Sequence, residues 1–242
     1  QRVATLFGSS TYGLESSLCS TATNITSQLV YGRGQSSSGS DPSDDTGSCM
    51  IWSLNAAWSQ PNRHAKFMDQ KERGCKFVIV DPRITPTVMG LADIHLQLRP
   101  GSDGALALGF INILIRDGLV DKQFVEEWTH GYEGLADLAA QYPPEKVEEI
   151  TWVPADKIRE IANNLVKYAS FGSTVEIDGQ TLPLRPAAVI IGRGITNQED
   201  GTLCDIYSRV LNMLLGNVGN PGGIISNMYC DYLPNELDGT TE

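Results

Sequence analysis

Three short segments carry side chains suited to holding a charged, partly planar ligand. The segment 52–59 (WSLNAAWS) sets the small residues Ser53, Ala56 and Ser59 beside Trp52, Leu54 and Asn55. Its backbone N–H groups can approach a diphosphate closely, and Asn55 offers a directed amide. It lacks the G-x-G-x-x-G fingerprint, and an ordinary strand-to-helix loop would carry the same residues. The segment 81–85 (DPRIT) supplies Asp81 for a ribose hydroxyl and Arg83 for a phosphate. Asp81 equally suits a turn, and Arg83 a solvated surface. The segment 99–103 (RPGSD) ends in a carboxylate ahead of a long apolar run. Asp103 there can accept two parallel hydrogen bonds from a guanine edge and gains from the helix dipole. Plain capping by Ser102 and Asp103 is the alternative.

The flanking residues say what must position these loops. Apolar runs at 49–52 (CMIW), 76–80 (KFVIV) and 187–191 (AAVII) predict short buried strands, and 93–98 offers another. Between the first two runs lies a polar stretch, 62–73, that reads as a helix stopped by Gly74. Strand, helix and strand make a βαβ unit. A helix over 103–116 is apolar around most of its circumference and must be buried on several sides. Further helices are predicted at 121–129, 134–141, 154–168 and 200–215. The segment 35–47 is Ser/Asp/Gly-rich and reads as loop or linker. This alternation predicts an α/β fold, doubly wound around mostly parallel sheets. Ligands then sit beyond the carboxyl ends of the strands, where all three segments belong.

Composition narrows the function. Against 29 Asp+Glu the chain has 18 Lys+Arg, a net charge of −11 over 242 residues, which argues against nucleic acid or an anionic membrane as main partner. The longest near-apolar stretch, 105–115, is too short to span a bilayer and is interrupted by Gly109 and Asn112, so no direct membrane insertion is expected. The five cysteines show no C-x-x-C and no zinc or iron–sulfur spacing. Cys49, Cys75 and Cys204 read as small buried hydrophobes. The chain opens Gln1-Arg2-Val3 without an initiator Met, which reads as a piece of something longer.

Taken in order, the segments SLC (17–19), WSLNAAWSQP (52–61), KFVIVDPRITPTVMGLADIHLQLRPGSDGALALG (76–109), FVEEWTHGYE (124–133), ITWVPADKIREIA (150–162), GRGITNQEDG (192–201) and LLGNVGNPGG (214–223) resemble the DMSO reductase family of molybdopterin oxidoreductases. The order and spacing of that family are kept over most of the chain. The resemblance implies the central part of a larger enzyme, built from two intertwined α/β domains: an outer one of 1–35 plus 190–242, and one of 36–189 inserted into it. It implies molybdenum or tungsten between two molybdopterin guanine dinucleotides, with a [4Fe-4S] cluster only in an N-terminal domain absent here. Cys19 falls where the family places its protein ligand to the metal, and a thiolate suits that soft centre. The loop 52–59 (Trp52, Ser53, Leu54, Asn55, Ala56, Ser59) matches the dinucleotide loop. Asp81, Pro82, Arg83 and Thr85 match a second nucleotide loop, and Gly101, Ser102 and Asp103 a guanine-recognition turn. Gly192, Gly194, Asn197 and Gln198 match a later loop near the pterin. Ser53-Leu54 departs from the family, where a Gly-containing pair is usual.

The activity implied by the resemblance is two-electron redox or oxygen-atom transfer on a small substrate in anaerobic metabolism, with an iron–sulfur electron-transfer subunit as partner. A non-redox hydratase on the same scaffold and a non-catalytic scaffold, as in respiratory complex I, are the alternatives, with a stand-alone nucleotide-binding module as a third. Relatives occur in the cytoplasm and the periplasm of bacteria and archaea, so the compartment stays open.

Overall fold

The computed structural model describes residues 6–9, 21–32, 38–40 and 45–226. At its centre four parallel strands run in the order β4-β3-β2-β7. They are β2 (Ser48–Trp52), β3 (Lys76–Val80), β4 (Ile94–Leu96) and β7 (Ala187–Ile191). The chain goes from β2 outward to β3 and β4 through α2 (Ala56–Ser59), α3 (Pro61–Glu72) and α4 (Pro86–Leu91). It returns to the other side of β2 only after α5 (Asp103–Arg116), α6 (Lys122–Trp128), α7 (Tyr132–Ala139), α8 (Pro144–Thr151), α9 (Ala155–Ala169) and the hairpin β5 (Thr174–Ile177)–β6 (Gln180–Pro183). A 3₁₀ turn (Arg193–Thr196) and α10 (Gly201–Leu214) follow β7, while α1 (Thr21–Tyr31) precedes the sheet. The short strands β1 (Ser38–Ser40) and β8 (Ile224–Ser226) pair antiparallel.

The strands read as unbroken apolar runs because both faces are covered. Met50, Trp52, Val78, Val80, Val189 and Ile191 pack against α5, α9 and α10; Cys49, Ile51, Phe77, Ile79, Ala188 and Ile190 pack with Phe67 of α3 and Val88 and Leu91 of α4. Alternate residues thus feed two cores, as a doubly wound sheet requires. The prediction for 103–116 holds residue for residue, and ten of the fourteen residues of α5 are buried. Gly109, whose added Cβ would lie 3.0 Å from Val147 Cγ2, lets α8 press onto α5. Ser102 takes the N-cap position, yet its hydroxyl donates to the Arg99 carbonyl (2.6 Å) instead of capping.

Two asparagines close the outer edge of β7. Asn212 of α10 accepts from the Val189 N–H and donates to the Val189 carbonyl, both at 2.9 Å. Asn217 Nδ2 donates to the Ala187 carbonyl. These amides stand in for a missing neighbour strand.

Beneath α1 the contacts are polar. Asp205 and Arg209 of α10 form a fully buried pair at 3.0 Å, and the Thr26 hydroxyl donates to the same carboxylate oxygen. Tyr31 donates to the Arg209 carbonyl (3.3 Å), accepts from Asn212 Nδ2 (3.1 Å) and lies under the Arg209 guanidinium (5.5 Å). Burial pushes the Asp205 carboxyl up, against the pull of Arg209, and pushes the Tyr31 phenol up to about 12.

Asn212→Ala removes the partners of the buried Val189 N–H and C=O and is expected to cost about 3 kcal/mol of unfolding free energy in urea titrations. Tyrosine ionises near 10 when unfolded and Tyr31 near 12 when folded. The stability held by its neutral phenol is therefore complete below pH 10 and lost between pH 10 and 12. A spectrophotometric titration should show a late tyrosine transition that is lost in Tyr31→Phe.

Candidate functional site at the carboxyl edge of the sheet

Because β2, β3, β4 and β7 are parallel, their carboxyl ends share one edge, with Trp52 level with Val80 on one side and Ile191 on the other. Main-chain bonds lace the emerging loops together: the Ser53 N–H donates to Val80 O (2.9 Å), the Gly192 N–H to Trp52 O (2.7 Å) and the Asp81 N–H to Leu96 O (3.2 Å). The chain leaves β2 toward β3 and comes back beside it at β7, so the order reverses between β2 and β7. At such reversals α/β sheets commonly form a crevice, and here the loops 53–55 and 192–198 meet at that point.

The two flanking loops meet at close quarters. A Cβ on Gly192 would lie 2.3 Å from Ser53 O and 2.6 Å from Leu54 Cβ, and one on Gly194 would lie 3.0 Å from Ser53 Cβ. Ser53 itself has φ +54°, a left-handed conformation that favours glycine. At Ser53 the serine therefore adopts a conformation that glycine takes without strain.

Asp103 joins three segments that the sequence leaves far apart. Its Oδ1 accepts from Trp52 Nε1 at 2.7 Å, and its Oδ2 from Gln198 Nε2 at 2.9 Å. Gln198 also donates to the Ile195 carbonyl (3.0 Å). The carboxylate is 6% exposed. Each oxygen keeps a second lone pair for a further donor.

The remaining candidates fall into two groups. Trp52, Leu54, Ala56, Thr85 and Ser102 have buried side chains that hold the loops from inside. Thr85 caps α4 through the Val88 N–H (3.2 Å), while Asp81 accepts from the Arg83 N–H (2.8 Å) and so sharpens its turn. Asn55 accepts from the Thr87 hydroxyl (2.8 Å), which itself accepts from the Ala57 N–H (3.0 Å). Ser59, Arg83, Gly101, Gly194 and Asn197 are exposed, and Ser53, Asn55, Pro82, Gly192 and Gln198 half-buried. Cys19 lies outside the described residues. Among those described, no cluster of His, Cys, Asp or Glu is arranged to hold a metal. Cys49, Cys75 and Cys204 are buried and in no disulfide, and burial pushes the Cys75 thiol up to about 12.

Several contributors carry no local sequence signal. Thr87 orients Asn55 across 32 residues. Arg193, inside the glycine loop, donates to the Thr23 hydroxyl of α1 (3.2 Å) and so ties α1 to the crevice. Trp58 (75% exposed) and Ile84 (68%) are large apolar side chains left in solvent on the segments leaving β2 and β3.

A parallel sheet with its loops drawn together at the switch point is the architecture with which α/β proteins hold nucleotide-bearing groups. The chain belongs to the molybdopterin oxidoreductase family, whose model matches residues 1–235, and its relatives place it among the DMSO reductase-like enzymes. Acetylene hydratase of Syntrophotalea acetylenica is 44% identical over 117 residues, 47% of this chain and 16% of that protein. Formate dehydrogenase H of Escherichia coli (strain K12) is 32% identical over 190 residues, covering 78% of this chain and 24% of that one. In a solved structure, acetylene hydratase from Pelobacter acetylenicus superimposes with a TM-score of 0.69 at 31% identity, over 91% of this chain and 27% of the other. The chain thus spans between 16% and 27% of the length of these relatives.

Gly192→Ala must push Ser53 aside and is expected to lose about 2 kcal/mol of stability. Gly134→Ala, in α7 with open space around it, should instead gain about 0.5–1 kcal/mol. Thermal unfolding of both variants checks the contrast.

Proposed function

We propose that the chain is the central part of a molybdenum or tungsten enzyme whose cofactor carries two molybdopterin guanine dinucleotides. The supporting observation is the Gly192–Ser53 approach at the switch point, where a Cβ would collide with backbone. The approach brings the loop after β7 against the loop after β2, so that amides of both lie at one edge, as binding of a diphosphate requires.

The chain's own residues then divide the work. The amides of Leu54, Asn55 and Gly194 face the diphosphate, since the Ser53 and Gly192 N–H groups are bonded to Val80 O and Trp52 O. Asp103, held by Trp52 and Gln198, accepts from a guanine edge with its remaining lone pairs, and Asp81 holds a ribose hydroxyl with Arg83 beside a phosphate. Gly101, without a side chain, leaves the approach to Asp103 open. Cys19 provides the thiolate to the metal. When bound, the metal–pterin group supplies two-electron chemistry coupled to oxygen-atom or hydride exchange with a small substrate. An iron–sulfur subunit receiving the electrons, and a [4Fe-4S] cluster elsewhere in the polypeptide, complete this reading. The division into an outer unit (1–35 with 190–242) and an inserted one (36–189) belongs to it too. The pairing of β1 (38–40) with β8 (224–226) joins the start of the proposed inserted unit to the outer one.

A second reading is a non-redox hydratase that adds water to an unsaturated bond. It is favoured by the 44% identity to acetylene hydratase.

Metal and nucleotide analysis of the full gene product tests the proposal. One molybdenum or tungsten per polypeptide and about two equivalents of GMP after acid hydrolysis are expected; absence of both metals sinks the cofactor reading and leaves a scaffold. Cys19→Ala should cut turnover at least a hundredfold with folding intact. Substrate-dependent reduction of oxidised viologen, or oxidation of reduced viologen, separates a redox enzyme from a hydratase.

A further inference from the structure

Among the described residues five that are not glycine take a positive φ, and four of them sit where a turn calls for it. Trp152 and Ser170 end helices, Asp200 precedes one, and Asp178 forms the β5–β6 turn with Gly179. Ser53 is the exception, leaving the end of β2 for a loop with φ +54°. An L side chain is strained there and glycine is not. Strain of this kind persists where it serves a site.

The main chain of Ser53 is already committed. Its N–H donates to Val80 O (2.9 Å), and its carbonyl oxygen abuts Gly192, where a Cβ would stand 2.3 Å away. The hydroxyl is not committed. Ser53 is half-buried, and its Oγ meets no hydrogen-bond partner among the described residues. The side chain lies beside Gly194, whose added Cβ would come 3.0 Å from Ser53 Cβ and 3.5 Å from Ser53 Oγ. Gly194 is exposed and places no side chain over that hydroxyl.

We infer that the Ser53 hydroxyl is a phosphate-binding group, donating to an oxygen of the diphosphate held between the loops after β2 and β7. This rests on the reading of that crevice given above and adds a side chain to its main-chain donors. The segment 52–60 contains no Lys or Arg, so neutral donors must meet the anion there. A hydroxyl donating to an ionised oxygen makes a short, charge-assisted bond. Glycine at 53 would relax the backbone and forfeit that bond. Backbone comfort and ligand binding therefore pull in opposite directions at this position.

The test is calorimetric titration with guanosine diphosphate of the full gene product, made in cells that cannot synthesise the pterin. Wild type is compared with Ser53→Gly and Ser53→Ala, which both lack the hydroxyl, while only the glycine variant is freed of strain. Both variants should bind about tenfold more weakly. Ser53→Gly should nevertheless raise the thermal midpoint by about 2 °C. Wild-type affinity in the glycine variant would overturn the inference. So would a loss confined to Ser53→Gly, which assigns the effect to backbone freedom, or a wild type that does not bind guanosine diphosphate. Metal and GMP contents of the wild type from its own host decide the cofactor reading separately. A loaded enzyme whose glycine variant binds normally upholds the cofactor and defeats the hydroxyl; hydroxyl-dependent binding in a protein without metal does the reverse.

Discussion

At the head of α5 a carboxylate is held out of water between two N–H donors, Trp52 Nε1 and Gln198 Nε2, that come from opposite ends of the sheet's connectivity. Taking such a group out of solvent costs several kcal/mol. Two hydrogen bonds to an ionised acceptor return about 1.5–3 kcal/mol each, and the helix N-terminus adds up to ~2 kcal/mol. These terms nearly cancel. Asp103 thus adds little net stability, and its contribution is geometric: it fixes the end of β2, the start of α5 and the loop after β7 relative to one another. Removing the carboxylate would leave two buried donors unanswered at the point where the crevice opens.

The regular elements were legible where apolar residues ran together between turn formers. The strands at 76–80 and 187–191 and the helix at 103–116 match residue for residue, since burial on both faces leaves no polar position to blur the pattern. The hairpin β5–β6 was missed although Asp178-Gly179 is a strong turn signal, both residues having positive φ. Its strands are largely exposed and carry little alternation for periodicity to find. Helix α4 is six residues long, too short for a helical period, and only the Thr85-Pro86 cap announced it. Helix α1 could not be read from amphipathicity at all, because its buried face is polar.

For the site, the loops were legible and their couplings were not. Asn55, Asp81 and Asp103 stood out by residue type beside turn-forming neighbours. The bonds that give them direction span 32 residues for Asn55–Thr87, 51 for Trp52–Asp103 and 95 for Asp103–Gln198. No local pattern encodes such pairs. The tightness at Gly192 likewise acquires meaning only once β7 lies beside β2, and the same pairing explains how Ser53 occupies a glycine's conformation.

The amides that cap β7 also decide where this architecture can grow. With Val189 satisfied by Asn212 and Ala187 by Asn217, no further strand can add on that flank without first displacing side chains of α10 and the turn after it. The opposite flank ends in β4, three residues long, which offers an incoming strand only a brief template. Among the described residues the sheet's additions lie in its connections instead: the long return from β4 to β7 carries five helices and the β5–β6 hairpin.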